Sequence, residues 1–272
     1  MSTYTLDGID LSDPSNGRKV LLAGTLPRVM AGRADNGVAI PGRDGVTPSL
    51  ATRFEASSAY FRMTVRGQNR EQTISRVERL FGMLGVRHRL MELVHTYGST
   101  TQRVADVELL GEPSLDMPTP TYAEVDFVLN IPAGAWRSPG QVTAVIPFGQ
   151  TVTVFHEATA PMQDALIRFT GAVTNPRLVD VATGKAVGVN ATVPDYAVID
   201  AAAWRGAYHT SGSWSPDGVS PMPGPVIHSN HGAGAAIVLT PDQVAGGVQL
   251  RAEGSSLGAN AVAEVRTYLS YR

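Results

Sequence analysis

Along Ala59-Tyr60-Phe61-Arg62-Met63-Thr64-Val65, and again along Ala123-Glu124-Val125-Asp126-Phe127-Val128-Leu129, apolar residues recur at every second position in the manner of a half-buried strand. A strand turns successive side chains to opposite faces, so this period of two predicts two half-buried strands, the second with Val125, Phe127 and Leu129 on its inner face. Arg103 to Leu110 is a third candidate. Between the first two the period changes. Ile74, Val77, Leu80, Phe81 and Leu84 recur at helical spacing, with Arg76, Glu78 and Arg79 between them. Asn69 is placed to cap this helix, Gln72 to close a capping box, and Gly85 to end it. One amphipathic helix packed against several antiparallel strands predicts an α+β domain.

Beyond residue 139 no long helical period recurs. Strands are predicted over 141–146, 151–155, 165–170, 177–181, 196–199, 235–239, 247–252 and 263–271. Turn signals such as Thr183-Gly184, Pro216-Asp217-Gly218 and Gly246-Gly247 separate them. Many short strands with regular turns predict an all-β sandwich. Charge changes at the same place. Residues 1–139 hold 15 basic and 15 acidic side chains, residues 140–272 only 7 and 9. With Pro132, Pro139 and Gly140 punctuating the change, the sequence predicts two domains, 1–139 and 140–272. Residues 205–234 read as a long loop region.

The chain contains no cysteine, which excludes a disulfide framework and thiolate chemistry. Its net charge of −2 argues against a dedicated nucleic-acid binder. Lys19 and Lys185 are the only lysines; arginine supplies the remaining positive charge, and its planar, weakly hydrated head group suits interfaces. No apolar run approaches the roughly 18 residues of a membrane span. The opening Met1-Ser2-Thr3-Tyr4 has no secretory character, so a protein made in a cytoplasm is expected.

Four segments invite chemistry. Gly254-Ser255-Ser256-Leu257-Gly258 matches the nucleophile-elbow pattern, but no histidine follows Ser256 and the context is a hairpin turn. His228 and His231 lie in a Pro/Gly-rich stretch without the third ligand that a catalytic zinc requires. Trp204, Tyr208 and Trp214 form an aromatic cluster suited either to stacking on a sugar or partner, or to plugging a core edge. Ile40-Pro41-Gly42-Arg43-Asp44-Gly45 reads as a rigid glycine-rich turn with an Arg–Asp pair, and lacks the ending of a phosphate loop. No catalytic residue, cofactor site or metal site is expected from these.

The segment Ile40-Pro41-Gly42-Arg43-Asp44-Gly45 resembles the loop of siphophage distal tail proteins and their minor-tail relatives, in which it precedes a strand, a capped helix and further strands. Ala135-Trp136-Arg137-Ser138-Pro139 is similar to the junction that closes their N-terminal domain. Thr174-Asn175-Pro176-Arg177 followed by Thr183-Gly184, the Val198-Ile199-Asp200…Ala203-Trp204 segment and the closing Val265-Arg266-Thr267-Tyr268-Leu269 strand resemble the second domain of actinobacteriophage tail proteins. The resemblance implies a tail-tube-like ring domain followed by a galectin-like sandwich. It implies a homohexameric ring at the distal end of the virion tail, joining the major tail tube protein to the tail hub near the tape-measure protein and letting DNA pass. In that setting Ile40, Pro41, Gly42, Arg43, Asp44 and Gly45 form a candidate assembly loop, and Trp204, Tyr208 and Trp214 a candidate carbohydrate or partner contact. The alternative is a tail-tip adhesion protein whose sandwich binds host-surface carbohydrate. The zero charge sum of residues 1–139 leads to a further expectation: their arginines pair with acids or face neighbouring subunits.

Overall fold

The structure, a computed structural model, describes residues 3–29, 38–39, 46–47, 56–98, 100–203, 205–218, 220–221, 226–229 and 237–272. It divides the chain into two compact units, Met1–Arg137 with Arg272, and Ser138–Tyr271.

In the first unit the elements run β1 (Thr3–Leu6), β2 (Ile9–Asp10), β3 (Arg18–Val20), β4 (Leu26–Val29), β5 (Val38–Ala39), β6 (Val46–Thr47), β7 (Ser57–Arg66), α1 (Arg70–Leu84), β8 (Met91–Tyr97), β9 (Thr101–Thr119) and β10 (Tyr122–Ile131). A further strand, β11 (Trp136–Pro147), begins in this unit and continues into the second. The core is built on β7 and β10, which pair over their full length from Arg66 opposite Tyr122 to Ser57 opposite Ile131. Their inward residues Ala59, Phe61, Met63, Val65, Ala123, Val125, Phe127, Leu129 and Ile131 are buried, as the alternation predicts. β9 lies beyond β10, with β8 paired outside its first part, and β3 and β4 lie beyond β7 on the opposite side.

The helix packs on this sheet through Thr73, Val77, Leu80 and Leu84. The predicted apolar face is thus shifted: Ile74 is exposed and Phe81 half-buried, while Thr73 goes fully inside and satisfies its hydroxyl on the Asn69 carbonyl. Asn69 caps the helix by accepting from the Gln72 N–H at 2.9 Å. Gln72 reaches back one residue further than a reciprocal capping box requires, accepting from the Gln68 N–H. Gly85 ends the helix by donating to the Phe81 carbonyl, at φ −82° rather than in the left-handed cap conformation.

The second unit is all β. After β11 come β12 (Thr151–Val154), β13 (Leu166–Thr170), β14 (Val173–Asp180), β15 (Ala186–Val189), β16 (Thr192–Val193), β17 (Tyr196–Asp200), β18 (Arg205–His209), β19 (Ser220–Pro221), β20 (Val226–Ser229), β21 (Val248–Ser255) and β22 (Val262–Tyr271). One sheet runs β19-β18-β17-β13-β22-β11, the other β12-β21-β14-β15-β20 with β16 against β14. Phe169, Ile167, Val265 and Ile199 of the first and Leu178, Leu250, Ala252 and Val187 of the second are fully buried. Two predictions need correction. The expected strand at 235–239 contributes among the described residues only an isolated bridge from Leu239 to Met162. The expected loop 205–234 contains β18, β19 and β20. Their short sequences show no clear alternation, and it is pairing of β18 with β17, β19 with β18 and β20 with β15 that makes them strands.

Candidate functional site

The outward face of the β17–β13–β22 sheet holds a polar-aromatic cluster. Arg168, on the polar side of β13, stands directly opposite Glu264 of β22. Its Nε donates to Glu264 Oε2 at 2.8 Å, with only 13% and 16% of the two side chains exposed. Thr170 Oγ1 donates to the same carboxylate oxygen at 3.0 Å. This matters because a guanidinium taken this far from water is stable only when paired.

After β18 the chain turns back over that face. Arg168 donates through Nη1 to the Gly212 carbonyl, and the His209 Nε2–H donates to the Ser215 carbonyl at 2.7 Å. Arg205 joins Asp217 at 2.8 Å and Asp200 at 3.6 Å. These ties hold Trp214 in place, with the guanidinium carbons of Arg168 and Arg266 over its ring at 4.2 and 4.3 Å. Val198 and Ala207 face outward in this sheet, opposite Arg168 and each other, yet are almost fully buried. The returning segment supplies that cover. Arg266 donates from Nε to Thr143 Oγ1 at 3.3 Å. It has no carboxylate within ion-pair distance among the described residues, and its guanidinium lies against the indole face.

Of the sequence-predicted contact residues, Trp214 is therefore a half-buried clamp for its own loop, because the ring already bears two guanidinium groups. Tyr208 lies on β18 and donates to Asp195 Oδ2 at 3.0 Å; lost hydration and then this carboxylate raise its phenol above the usual range. Trp204 lies outside the described residues, as do Ile40, Pro41, Gly42, Arg43, Asp44, Gly45 and His231. His228 is in β20 opposite Val187. Ser256 sits in the turn after β21 with φ +50°, followed by a hairpin return into β22 rather than a helix. Among the described residues no three His, Asp or Glu side chains gather as a metal site would require.

The Thr174-Asn175-Pro176-Arg177 motif has a structural role. Asn175 takes φ +52°, and the register of β14 against β21 slips there, which marks a bulge. The bulge drives the Pro176 carbonyl toward β15, where a Cβ on Gly188 would lie 2.2 Å from it; only glycine fits. Thr183-Gly184 closes the β14–β15 hairpin around Asp180. The Asp180 carboxylate is fully buried and accepts from the Ala182 N–H and the Thr183 hydroxyl at 3.1 and 2.9 Å. Burial pushes its carboxyl pKa up.

Arg168, Glu264, Arg266 and Thr143 were not singled out by sequence reasoning. They are up to 123 residues apart. The only local signal was strand alternation, which puts Arg168, Glu264 and Arg266 on the outward face without saying what they meet.

The fold has a known counterpart. The crystal structure of the SPP1 Dit (gp 19.1) protein, described as a paradigm of the hub adsorption apparatus in Gram-positive-infecting phages, superposes with a TM-score of 0.66 at 15% identity, covering 100% of both chains. Chains of the phage P2 baseplate in its activated conformation, with calcium and with strontium, give TM-scores of 0.39 and 0.38 at 10% identity over 98% of each chain. No family model and no curated protein matches the sequence.

Proposed function

We propose that this chain is a structural protein of the tail tip of a long-tailed phage, a distal tail protein that forms a ring joining the tail tube to the hub and leaves a passage for DNA. Correspondence of fold over the whole of both chains with a phage hub adsorption protein supports this reading more than any other single observation. The ring is a homohexamer. Its partners are the major tail tube protein, the tape-measure protein and the hub, and its place is the distal end of the virion tail. It performs no catalytic step.

The adhesion alternative would use Trp214 as a stacking platform. The two guanidinium groups over that ring weigh against it, since a sugar would have to displace a cation–π contact.

Electron microscopy of intact particles with gold-labelled antibody against this chain tests the proposal. Label confined to the tail end remote from the capsid is expected. Label on the capsid, or on no part of the particle, overturns it.

A further inference from the structure

The two sides of the sheet in the first unit differ in charge. On one side, residues 108–119 of β9 pair with β10 alone, while 101–107 pair with β8. Among the described residues that stretch leaves an open strand edge. It is unsuited to accept another strand: the register slips twice against β10, Gly111 has φ +73°, and Pro113 and Pro118 offer no N–H. It does offer side chains. Leu110 is 54% and Leu115 45% exposed, and Glu112 and Asp116 are exposed with no cation within ion-pair distance among the described residues.

On the other side, β3, the following 3-10 turn and β4 run along β7. Leu22 and Leu26 are 51% and 60% exposed there. Lys19 is exposed, with no carboxylate within ion-pair distance among the described residues. Among the described residues Arg79 reaches only Asn16 Oδ1, just ahead of β3, and Arg76 only the carbonyls of Ser15 there and of Arg66 at the end of β7.

The register aligns the two sides. Lys19 is level with Thr64 of β7, which is level with Glu124 of β10 and so with Asp116 of β9. Leu26 is level with Tyr60, hence with Val128 and Leu110. Each edge therefore carries charge at one level and leucine at another, in the same order along the strands, with opposite sign of charge.

We propose that these edges are the two halves of a head-to-tail contact between copies of this chain: the acidic β9 edge of one copy meets the basic β3–β4 edge of the next, with Leu110 and Leu115 against Leu22 and Leu26. Two different, mutually complementary surfaces on one subunit generate a heterologous repeat. The contact runs through side chains, because the β9 edge is blunted against strand pairing. This assignment rests on the ring reading above and names the surfaces that reading needs.

Charge reversal tests it without touching the core. The pair Glu112→Lys with Asp116→Lys makes both edges basic. The pair Lys19→Glu with Arg79→Glu makes both acidic. Each variant alone is expected to associate at least about tenfold more weakly than the unaltered chain, by native mass spectrometry and sedimentation velocity, with unchanged circular dichroism. An equimolar mixture is expected to recover assembly, because each reversed edge then meets its complement, with the two variants alternating. If the unaltered chain assembles and the variants do so equally well, the edges are not the interface, though the ring stands. If each variant is weakened and mixing restores nothing, the two edges do not face each other. An unaltered chain that stays monomeric at every concentration overturns both the interface and the ring.

Discussion

Arg168 and Glu264 face each other across neighbouring strands and close an ion pair at 2.8 Å with both side chains mostly withdrawn from water. The pair fixes the outward face of the second unit, since Arg168 also holds the Gly212 carbonyl and the Trp214 ring. Glu264→Gln leaves a desolvated guanidinium without its counter-charge and is expected to destabilise the protein by about 2 kcal/mol, less than a fully buried broken pair would cost. A double-mutant cycle with Arg168→Met, followed by urea unfolding, is expected to give a coupling of about 1–3 kcal/mol. Simple additivity would show that the contact contributes nothing.

Trp214→Ala removes the clamp. The outward faces of Val198 and Ala207 lose cover, and two guanidinium groups lose their ring. The expected loss is about 1–3 kcal/mol. Faster amide hydrogen exchange confined to residues 205–218 checks it. Unchanged protection there would mean that the loop is held without the indole.

Gly188→Ala sets a methyl against the Pro176 carbonyl at a distance no Cβ tolerates. The backbone on both sides must shift, with an expected cost of about 2 kcal/mol or more, as for overpacking in a tight core. Thermal unfolding measures it. A melting temperature equal to that of the unaltered chain would mean that the bulge yields freely.

Acid should weaken the first unit through two carboxylates. The Arg89 hydrogen bond holds Asp7 below the ordinary carboxylate range, and the Arg62 hydrogen bond does the same for Asp126. A depressed folded-state pKa gives stability that is present above the unfolded value, near 4, and is lost as pH falls through the folded value. Stability is therefore expected to drop below about pH 4, and the drop to be shallower in Arg89→Gln. Urea midpoints across that range decide it; identical acid limbs in the two proteins would remove Asp7 from the account.

The isolated protein is expected not to bind duplex DNA at physiological salt. Arg18, Arg62, Arg89 and Arg137 of the first unit pair with Asp13, Asp126, Asp7 and Asp106. Arg76 and Arg79 spend donors on the protein itself. The net charge of −2 gives phosphate no overall attraction, so affinity weaker than about 10⁻⁴ M is expected by fluorescence anisotropy. Tight binding with a steep salt dependence would make this chain a DNA-handling protein. The expectation that arginines pair with acids or face a neighbour is met in part: four pair, while Arg66, Arg70, Arg76, Arg79 and Arg87 have no carboxylate within ion-pair distance among the described residues.

The sequence by itself determined the helix and the main strands. Period and caps are local properties: Asn69 accepts from Gln72 three residues on, and every second residue of β7 and β10 is buried. Its errors were also local in origin. β18 and β20 have weak patterns and become strands only because a partner offers its ladder. Thr73 replaced Ile74 on the helix face because a hydroxyl that bonds its own backbone can be buried, which a hydrophobic count does not register. The tertiary structure alone decided what the outward residues meet. Whether Trp214 is an open platform or a clamp depends on Arg168 and Arg266, 46 and 52 positions away in the chain. Which charges remain unpaired depends on how β9 and β3 fall at opposite sides of one sheet. Alternation says which way a side chain points, but side-chain interactions act over a few ångströms, and only the folded chain brings residues so distant in sequence within that range.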